Sequence, residues 1–167
     1  MRNVTMIYHE TEHGTIYCGD SLDVLKSMAD ESVDCCITSP PYWGLRDYGC
    51  DKQLGLEKTP EEYVTNMVQL FREVKRVLKD DGVLWLNLGD SYAGSGVHKE
   101  HHANQGISQS AKRGCTNGVP VTSGLKPKDL VGIPWRVAFA LQADGWWLRQ
   151  DLIWHKPNPM PESVRDR

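Results

Sequence analysis

The spacing of apolar residues along the chain predicts an alternation of strands and helices. The short apolar segments Thr15–Cys18 and Val33–Thr38 each predict a strand. Thr59 and Glu62 form a capping-box pattern, which begins a long amphipathic helix that Asp81-Gly82 is expected to end. These segments therefore predict two strands followed by a long helix.

The remaining elements follow the same alternation. Leu22–Met28 carries apolar residues on one helical face, and the nearly continuous apolar run Val83–Leu88 is typical of a strand covered on both sides. A second long helix is predicted over Lys128–Asp144, restarted at Pro134, and Trp146–His155 alternates like a strand near a sheet edge. Together these elements predict an α/β domain with a largely parallel sheet. The buried side of the second long helix is assigned to Trp135, Ala138, Phe139 and Leu141.

One internal region, at about residues 93–124, lacks periodicity and is rich in glycine and in small polar residues. Such composition predicts a long mobile insert, which could close over a substrate such as DNA. Its histidines and cysteine do not have the spacing of a common metal site, so no metal is predicted. The residues concerned are His98, His101, His102 and Cys115.

Composition limits the classes of protein that the chain can represent. Apolar content of 40% and charged content of 25% suit one soluble globular domain, and no apolar run approaches the roughly 18 residues of a membrane span. Five cysteines without a C-x-x-C motif favour a reduced, cytoplasmic protein over a disulfide framework or zinc ribbon. The net charge is −3, divided into −7 before His98 and +4 from His98 onward. The second part is either a surface that faces phosphates or an ordinary solvated surface.

The octapeptide Ile37–Gly44, I-T-S-P-P-Y-W-G, carries the strongest chemical signal. It follows directly on the predicted strand Val33–Thr38. Two consecutive prolines fix φ and remove two backbone donors, and Ser39 before them is biased to extended geometry. Ser39–Tyr42 therefore predicts a stiff ledge at the end of a strand, although an ordinary strand-ending turn would have the same composition. This segment is called the ledge below.

Such a ledge could activate an amino group on a nucleobase. The hydroxyl of Ser39 and the carbonyl of Pro40 can accept hydrogen bonds from the two N–H groups, while Tyr42 stacks on the base. Those hydrogen bonds favour a pyramidal nitrogen with an available lone pair. A methyl donor held in line would complete the displacement, and orientation of two bound reactants contributes roughly 7–11 kcal/mol in good cases.

Three motifs in order carry a resemblance to a known family. The ledge resembles the catalytic motif of the amino-methylating DNA methyltransferases, which transfer methyl from S-adenosyl-L-methionine to cytosine N4 or adenine N6. Gly19–Leu25 followed by Ser32-Val33-Asp34 is similar to the lead-in of the permuted, beta-type branch of that family. Trp154–Pro159, W-H-K-P-N-P, is similar to its late hairpin motif.

The resemblance implies a role for each motif residue. Ser39 and Pro40 would position the target amine, Pro41 completes the catalytic motif, and Tyr42 would stack on a base flipped out of the duplex. Asp20 and Ser39 are the predicted cofactor contacts; Asp20 also suits the N-cap of the following helix, and both roles can coexist. Serine at position 39 favours cytosine N4 over adenine N6, since relatives with aspartate there mostly modify adenine. Predicted DNA contacts are Trp43, Arg46, Lys156 and Asn158, with Trp43 also walling the base pocket.

The resemblance also implies a fold and a gap in it. The expected fold of residues 1–167 is a partial Rossmann-like methyltransferase sheet, mostly parallel, with helices on both faces. The family's glycine-rich cofactor turn and its target-recognition region have no counterpart in this sequence. Two strands of that missing half would separate Thr15–Cys18 from Val33–Thr38, leaving apolar sheet edges exposed. The expected partners are therefore double-stranded DNA and a complementing C-terminal half or second subunit.

Two alternatives stay open at the level of the sequence. The chain could methylate RNA or a protein amide, since enzymes acting on glutamine amides use a similar P-P-Y ledge. It could also be a non-catalytic fragment or DNA-binding subunit. The lead-in at Gly19-Asp20 and the late motif favour a DNA methyltransferase of the restriction-modification kind.

Overall fold

The computed structural model describes residues 6–50, 53–93, 124–126 and 128–158. These residues form a mixed α/β structure, as predicted. Of the predicted insert at 93–124, only Ala93 and Gly124 belong to the described residues; the rest, with its histidines and Cys115, lies outside them. The helices and strands are β1 Met6–Thr11, β2 Gly14–Cys18, α1 Ser21–Ser27, β3 Val33–Thr38, α2 Pro60–Val77, β4 Leu78–Leu86 and α3 Ile133–Ala143.

The chain divides into two compact units. The first comprises the described residues of Met1–Thr38 and Met67–Asn87, and the second those of Ser39–Asn66 and Leu88–Arg167. Helix α2 contributes its beginning to the second unit and the remainder to the first. Within the described residues, no helix is both long enough and apolar enough to cross a membrane.

The first unit contains two separate two-stranded sheets. Strands β1 and β2 pair antiparallel from Met6 opposite Cys18, and β1 was not predicted from the sequence. Strands β3 and β4 pair in parallel, with Cys35 opposite Val83 and Thr38 opposite Leu86. The predicted parallel pairing is thus found in β3 and β4 alone among the described strands. The Rossmann-like sheet with helices on both faces stays a prediction.

An arginine near the end of α2 fastens α1 within the first unit. The guanidinium of Arg76 donates to the carbonyl oxygens of Leu25 (2.7 Å) and Met28 (3.0 Å), at the end of α1. It also pairs with the carboxylates of Asp30 and Glu73. These two carboxylates raise the pKa of Arg76, since they favour the charged guanidinium. The last carbonyls of a helix lack helical partners, so Arg76 satisfies that of Met28 and adds a second hydrogen bond to that of Leu25, which also accepts one from the Met28 amide (3.0 Å).

One face of the parallel sheet is apolar and exposed. Side chains alternate between the two faces of a strand, so Cys35 and Ile37 of β3 share a face with Val83 and Trp85 of β4. All four are exposed, Ile37 to 81% and Trp85 to 52%. We call these four residues the open face. Parallel sheets are normally covered on both sides, so this exposure is unusual.

Helix α2 begins where the sequence predicts and ends earlier. The Thr59 hydroxyl accepts a hydrogen bond from the Glu62 amide (3.1 Å), as the capping box requires. The prediction that Asp81-Gly82 ends the helix is wrong, because the helix ends at Val77 and β4 begins at Leu78. Leu78 and Val83 of β4 pair with Val33 and Cys35 of β3, so β4 has four residues, 79–82, where β3 has one. Asp81-Gly82 therefore lies in a bulge-like irregularity inside β4 and does not end a helix.

Helix α3 of the second unit begins later than predicted. Lys128 and Gly132 have φ of 74° and 77°, a left-handed conformation through which a right-handed helix cannot run. The helix consequently begins at Ile133 with Pro134 in its first turn. Its buried residues are Ile133, Val137 and Leu141, so only Leu141 of the predicted buried side is confirmed. Trp135 and Phe139 are exposed, and their rings stack on each other with centroids 6.5 Å apart.

The predicted strand Trp146–His155 is wrong for this structure. That segment contains no strand, and its residues from Trp147 onward are exposed, Trp147 to 86% and Ile153 to 79%. A strand needs a partner to accept its backbone hydrogen bonds, and no segment among the described residues provides one. The alternating pattern is present in the sequence, but the described residues contain no strand that pairs with this segment.

Candidate functional site

Asp20 lies at the start of α1 in the first unit. Its Oδ1 accepts a hydrogen bond from the Leu22 amide (2.9 Å), and its backbone is extended, as an N-cap requires. The capping role is therefore confirmed. The carboxylate is also exposed, which leaves it accessible to a hydrogen-bond donor on a ligand. The cofactor role of Asp20 stays a prediction.

The ledge lies in the second unit and directly follows β3 in the chain. Ser39 is exposed, Pro40 is buried, and Pro41 and Tyr42 are partly exposed. The hydroxyl acceptor and the aromatic ring are thus accessible, while the diproline between them is anchored. The catalytic role of the ledge stays a prediction.

Tyr63 of α2 anchors the ledge from behind. Its hydroxyl donates a hydrogen bond to the Pro41 carbonyl oxygen (2.9 Å), and the side chain is fully buried. Burial raises the pKa of Tyr63 well above its usual value, helped by the nearby Glu57 and Tyr42. The phenol therefore stays protonated near neutral pH and can donate this hydrogen bond.

The loop after the ledge folds back against it. The amide of Gly44 donates to the Gly55 carbonyl oxygen (2.8 Å), and the indole N–H of Trp43 donates to the Glu57 carbonyl oxygen (2.9 Å). Gly55 has φ of +92°, and a methyl group there would lie 2.8 Å from the Tyr42 carbonyl oxygen. Only glycine satisfies both the conformation and the close approach.

Glu57 holds that loop in place. Its carboxylate accepts hydrogen bonds from the Gly55 amide (2.8 Å) and from the Asn66 side-chain amide (2.9 Å), so it connects the loop to α2. An open hollow of about 360 Å³ lies beside the loop, but none of the predicted site residues lines it. The hollow therefore has no part in the chemistry assigned to the ledge.

The residues that follow β4 also contact the ledge. Gly89 lies against the ring of Tyr42, with no room for a side chain between them. The next residue, Asp90, accepts hydrogen bonds from the amides of Gly132 (3.0 Å) and Ile133 (3.1 Å) at the start of α3. Its negative charge also suits the positive end of the helix dipole.

The predicted DNA contacts occupy different environments. Trp43 is 2% exposed and belongs to the core of the second unit, so its ring can support the ledge from inside. Arg46, Lys156 and Asn158 are exposed. The Arg46 carbonyl oxygen accepts a hydrogen bond from the Gln53 side chain (2.7 Å), which orders the loop while leaving the guanidinium at the surface. Their contact with DNA stays a prediction.

Several supporting residues escaped the sequence analysis. Tyr63 could be predicted only as a core residue. Its position on the apolar face of α2 accounts for the buried ring and gives no indication of what the hydroxyl bonds to. Gly89 and Asp90 act through partners that are distant in sequence, and no local pattern marks such pairs. The partners of Glu57 are nearer, but no familiar motif marks them. The Gly89-Asp90 dipeptide after an apolar strand was the one available signal.

Comparisons with known proteins show the family to which the chain belongs. The profile of a DNA methylase family, N6_N4_Mtase, matches residues 33–167. The Type II methyltransferase M.Cfr9I of Citrobacter freundii is 50% identical over 162 residues, which are 95% of this chain and 51% of the relative. M.SmaI of Serratia marcescens is 52% identical over 154 residues, or 91% of this chain and 51% of the relative.

M.XycI of Xanthomonas campestris pv. cyanopsidis is 52% identical over 157 residues, or 92% of this chain and 50% of the relative. No solved structure matches the chain significantly. The chain spans about half the length of the curated relatives that it matches. The resemblance inferred from the three motifs is confirmed: the chain belongs to the DNA methylase family N6_N4_Mtase.

Proposed function

We propose that the chain is the catalytic, N-terminal part of a DNA methyltransferase that modifies the exocyclic amine of a flipped base. The observation that carries this proposal is the ledge itself. Ser39 is exposed and Tyr42 partly exposed, while Tyr63 fixes the backbone between them from the buried side. The names of the relatives, all Type II methyltransferases, support the same activity.

The proposed chemistry depends on orientation rather than on a strong base. Ser39 Oγ and the Pro40 carbonyl oxygen accept hydrogen bonds from the target amine, which directs the nitrogen lone pair outward. S-adenosyl-L-methionine, held in part by Asp20, would supply the methyl group, and its carbon–sulfur electron pair stays on sulfur as the nitrogen–carbon bond forms. The surplus proton on nitrogen leaves to water, because such a methylated ammonium is very acidic.

The preferred base is cytosine, modified at N4. The resemblance associates serine at position 39 with this target and aspartate with adenine N6. A neutral hydroxyl is sufficient for the amine, because the ledge requires acceptors and not a charged group. Double-stranded DNA is the proposed substrate. The cytoplasm is the proposed location of the protein.

A complementing polypeptide is the proposed partner. The open face of Cys35, Ile37, Val83 and Trp85 exposes apolar surface that a parallel sheet normally buries. The relatives are about twice as long as the part that this chain matches. We propose that polypeptide corresponding to the rest of the relatives covers the open face and supplies the glycine-rich turn for the cofactor.

Analysis of methylated nucleosides tests the proposed function. The chain, alone and mixed with the remaining half of a relative such as M.SmaI, is incubated with unmethylated DNA, RNA and protein together and with labelled S-adenosyl-L-methionine. We expect N4-methylcytosine after hydrolysis of the DNA, mainly in the mixture. N6-methyladenine would overturn the base preference, and label found only in RNA or protein would overturn DNA as the substrate.

Calorimetric titration with S-adenosyl-L-methionine tests the need for a partner. The isolated chain should show no binding in the micromolar range, and the complementing half should restore it. Trp85→Glu should prevent this restoration because it places a charge on the open face, whereas the exposed His13→Glu should not. Micromolar binding by the isolated monomer would defeat the partner proposal.

A further inference from the structure

Gly89 is in unusually close contact with the ring that is proposed to stack on the target base. A methyl group at position 89 would lie 2.6 Å from Cδ2 and 2.7 Å from Cε2 of Tyr42. Non-bonded carbon atoms normally approach to about 3.5–4.0 Å. The ring therefore rests where only a hydrogen atom fits beneath it.

The backbone does not explain glycine at this position. Gly89 is not among the glycines with a positive φ, in contrast to Gly55 and Gly132. An alanine could adopt the backbone conformation of Gly89 without strain. The only obstacle to a side chain is thus the ring of Tyr42.

The ring cannot retreat by moving its own backbone. The Tyr63 hydroxyl holds the preceding carbonyl, that of Pro41, at 2.9 Å. Gly55 lies against the carbonyl oxygen of Tyr42 itself, which also accepts a hydrogen bond from the Leu45 amide (3.3 Å). Any displacement of the ring must therefore occur by rotation of the Tyr42 side chain.

The segment that carries Gly89 is held equally firmly. Asp90 accepts hydrogen bonds from the amides of Gly132 and Ile133, and the Ser91 carbonyl oxygen accepts one from the Val131 amide (2.9 Å). The Ala93 amide donates to the Asp129 carbonyl oxygen (2.8 Å). Gly89 is thus part of a fixed surface and not of a free loop.

We propose that Gly89 is a positioning residue that sets the height and tilt of the Tyr42 ring for stacking on the flipped base. This inference rests on the proposed function, because the ring needs a defined orientation only if a planar substrate binds to it. Tyr42 is partly exposed, which leaves ring surface for that substrate. A displaced ring would stack less well while the remainder of the ledge stays in place.

The test uses Gly89→Ala in the complete methylating assembly, with Gly14→Ala as the control. Gly14 has open space around its Cα and an ordinary backbone conformation, so alanine there meets no obstacle. We expect Gly89→Ala to lower kcat about three- to tenfold, with KM for DNA within about twofold, because phosphate contacts carry most DNA affinity. Equal kcat values for Gly89→Ala and wild type would overturn the inference.

A double-mutant cycle separates positioning from a general structural effect. In a Tyr42→Ala background, Gly89→Ala should cost no further activity, because the ring on which it acts is absent. Additive losses in the two variants would contradict a role through Tyr42. Matching unfolding midpoints for Gly89→Ala and Gly14→Ala exclude simple unfolding as the cause.

A spectroscopic measurement tests the contact without any catalysis. In the isolated chain, the Tyr42 ring resonances should shift in Gly89→Ala and stay in place in Gly14→Ala. Unshifted ring resonances in Gly89→Ala would overturn the inference even if methylation fell. If the wild-type assembly transferred no methyl group, the proposed function would fail, and the positioning role for stacking would fail with it.

Discussion

Tyr42→Ala is expected to lower the rate of methyl transfer by about 5- to 150-fold. Stacking of a base on an aromatic side chain contributes about 1–3 kcal/mol, and each 1.4 kcal/mol corresponds to a factor of ten. The loss should be seen in kcat, since the ring orients the base at the moment of transfer. The measurement is the initial rate of methyl incorporation into DNA at saturating cofactor.

Two variants control for effects other than stacking. Tyr42→Phe keeps the ring and should retain activity within a few-fold of wild type. Tyr8→Ala removes a tyrosine from β1 that is 77% exposed, and it should leave the rate unchanged. A Tyr42→Ala enzyme within twofold of the wild-type rate would show that no base stacks on this ring.

Phe71→Ala is expected to lower the free energy of unfolding by about 3–5 kcal/mol. Phe71 is 1% exposed on the buried face of α2, so its truncation removes apolar contacts and leaves a cavity. A domain of this size is stabilised by about 5–15 kcal/mol, and the variant should therefore lose a large part of its stability. Urea-induced unfolding followed by circular dichroism measures the change.

The second phenylalanine of the chain provides the matched control. Phe139 on α3 is 56% exposed, and Phe139→Ala should cost less than about 1 kcal/mol in the isolated chain. If both substitutions cost the same, the burial of Phe71 does not determine the stability of the first unit. A change in the slope of the unfolding free energy against urea concentration would instead indicate an altered denatured state.

Local signals determined which parts of the fold could be predicted. Strand β3 has the predicted bounds, Val33–Thr38, because its apolar run and the following prolines mark both ends. Helix α2 begins where Thr59 and Glu62 place it, because a capping box is complete within four residues. In both cases the signals that mark the boundary lie close together in sequence.

Non-local contacts determined what could not be predicted. The end of α2 at Val77 depends on the pairing of Leu78 with Val33, a strand partner far back in the chain. The start of α3 depends on Asp90, which lies 42 residues before Gly132. The end of α2 has no decisive signal in its own neighbourhood, and the start of α3 is marked locally only by Pro134, so propensity extended both helices too far.

In the candidate site, too, residues marked by a local sequence pattern could be predicted and residues that act through distant contacts could not. Ser39, Pro40 and Tyr42 could be selected from the sequence because four adjacent residues carry the chemical pattern. Tyr63 could not be assigned its role, since its hydrogen-bond acceptor is 22 residues away and its ring already accounts for its position on an apolar helix face. The candidate groups of the ledge were thus predictable, and the groups that hold them were not.

The acceptor that Asp90 provides to α3 has a dynamic consequence. Gly132 has no side chain to cap the helix, so the first turn of α3 depends on a carboxylate from the segment beneath Tyr42. Loss of that segment would leave the amides of Val131, Gly132 and Ile133 unpaired, and fraying of α3 would release the segment in turn. The helix start and the surface under the aromatic ring should therefore open in one cooperative fluctuation, with similar amide-exchange free energies at Gly132 and Val131.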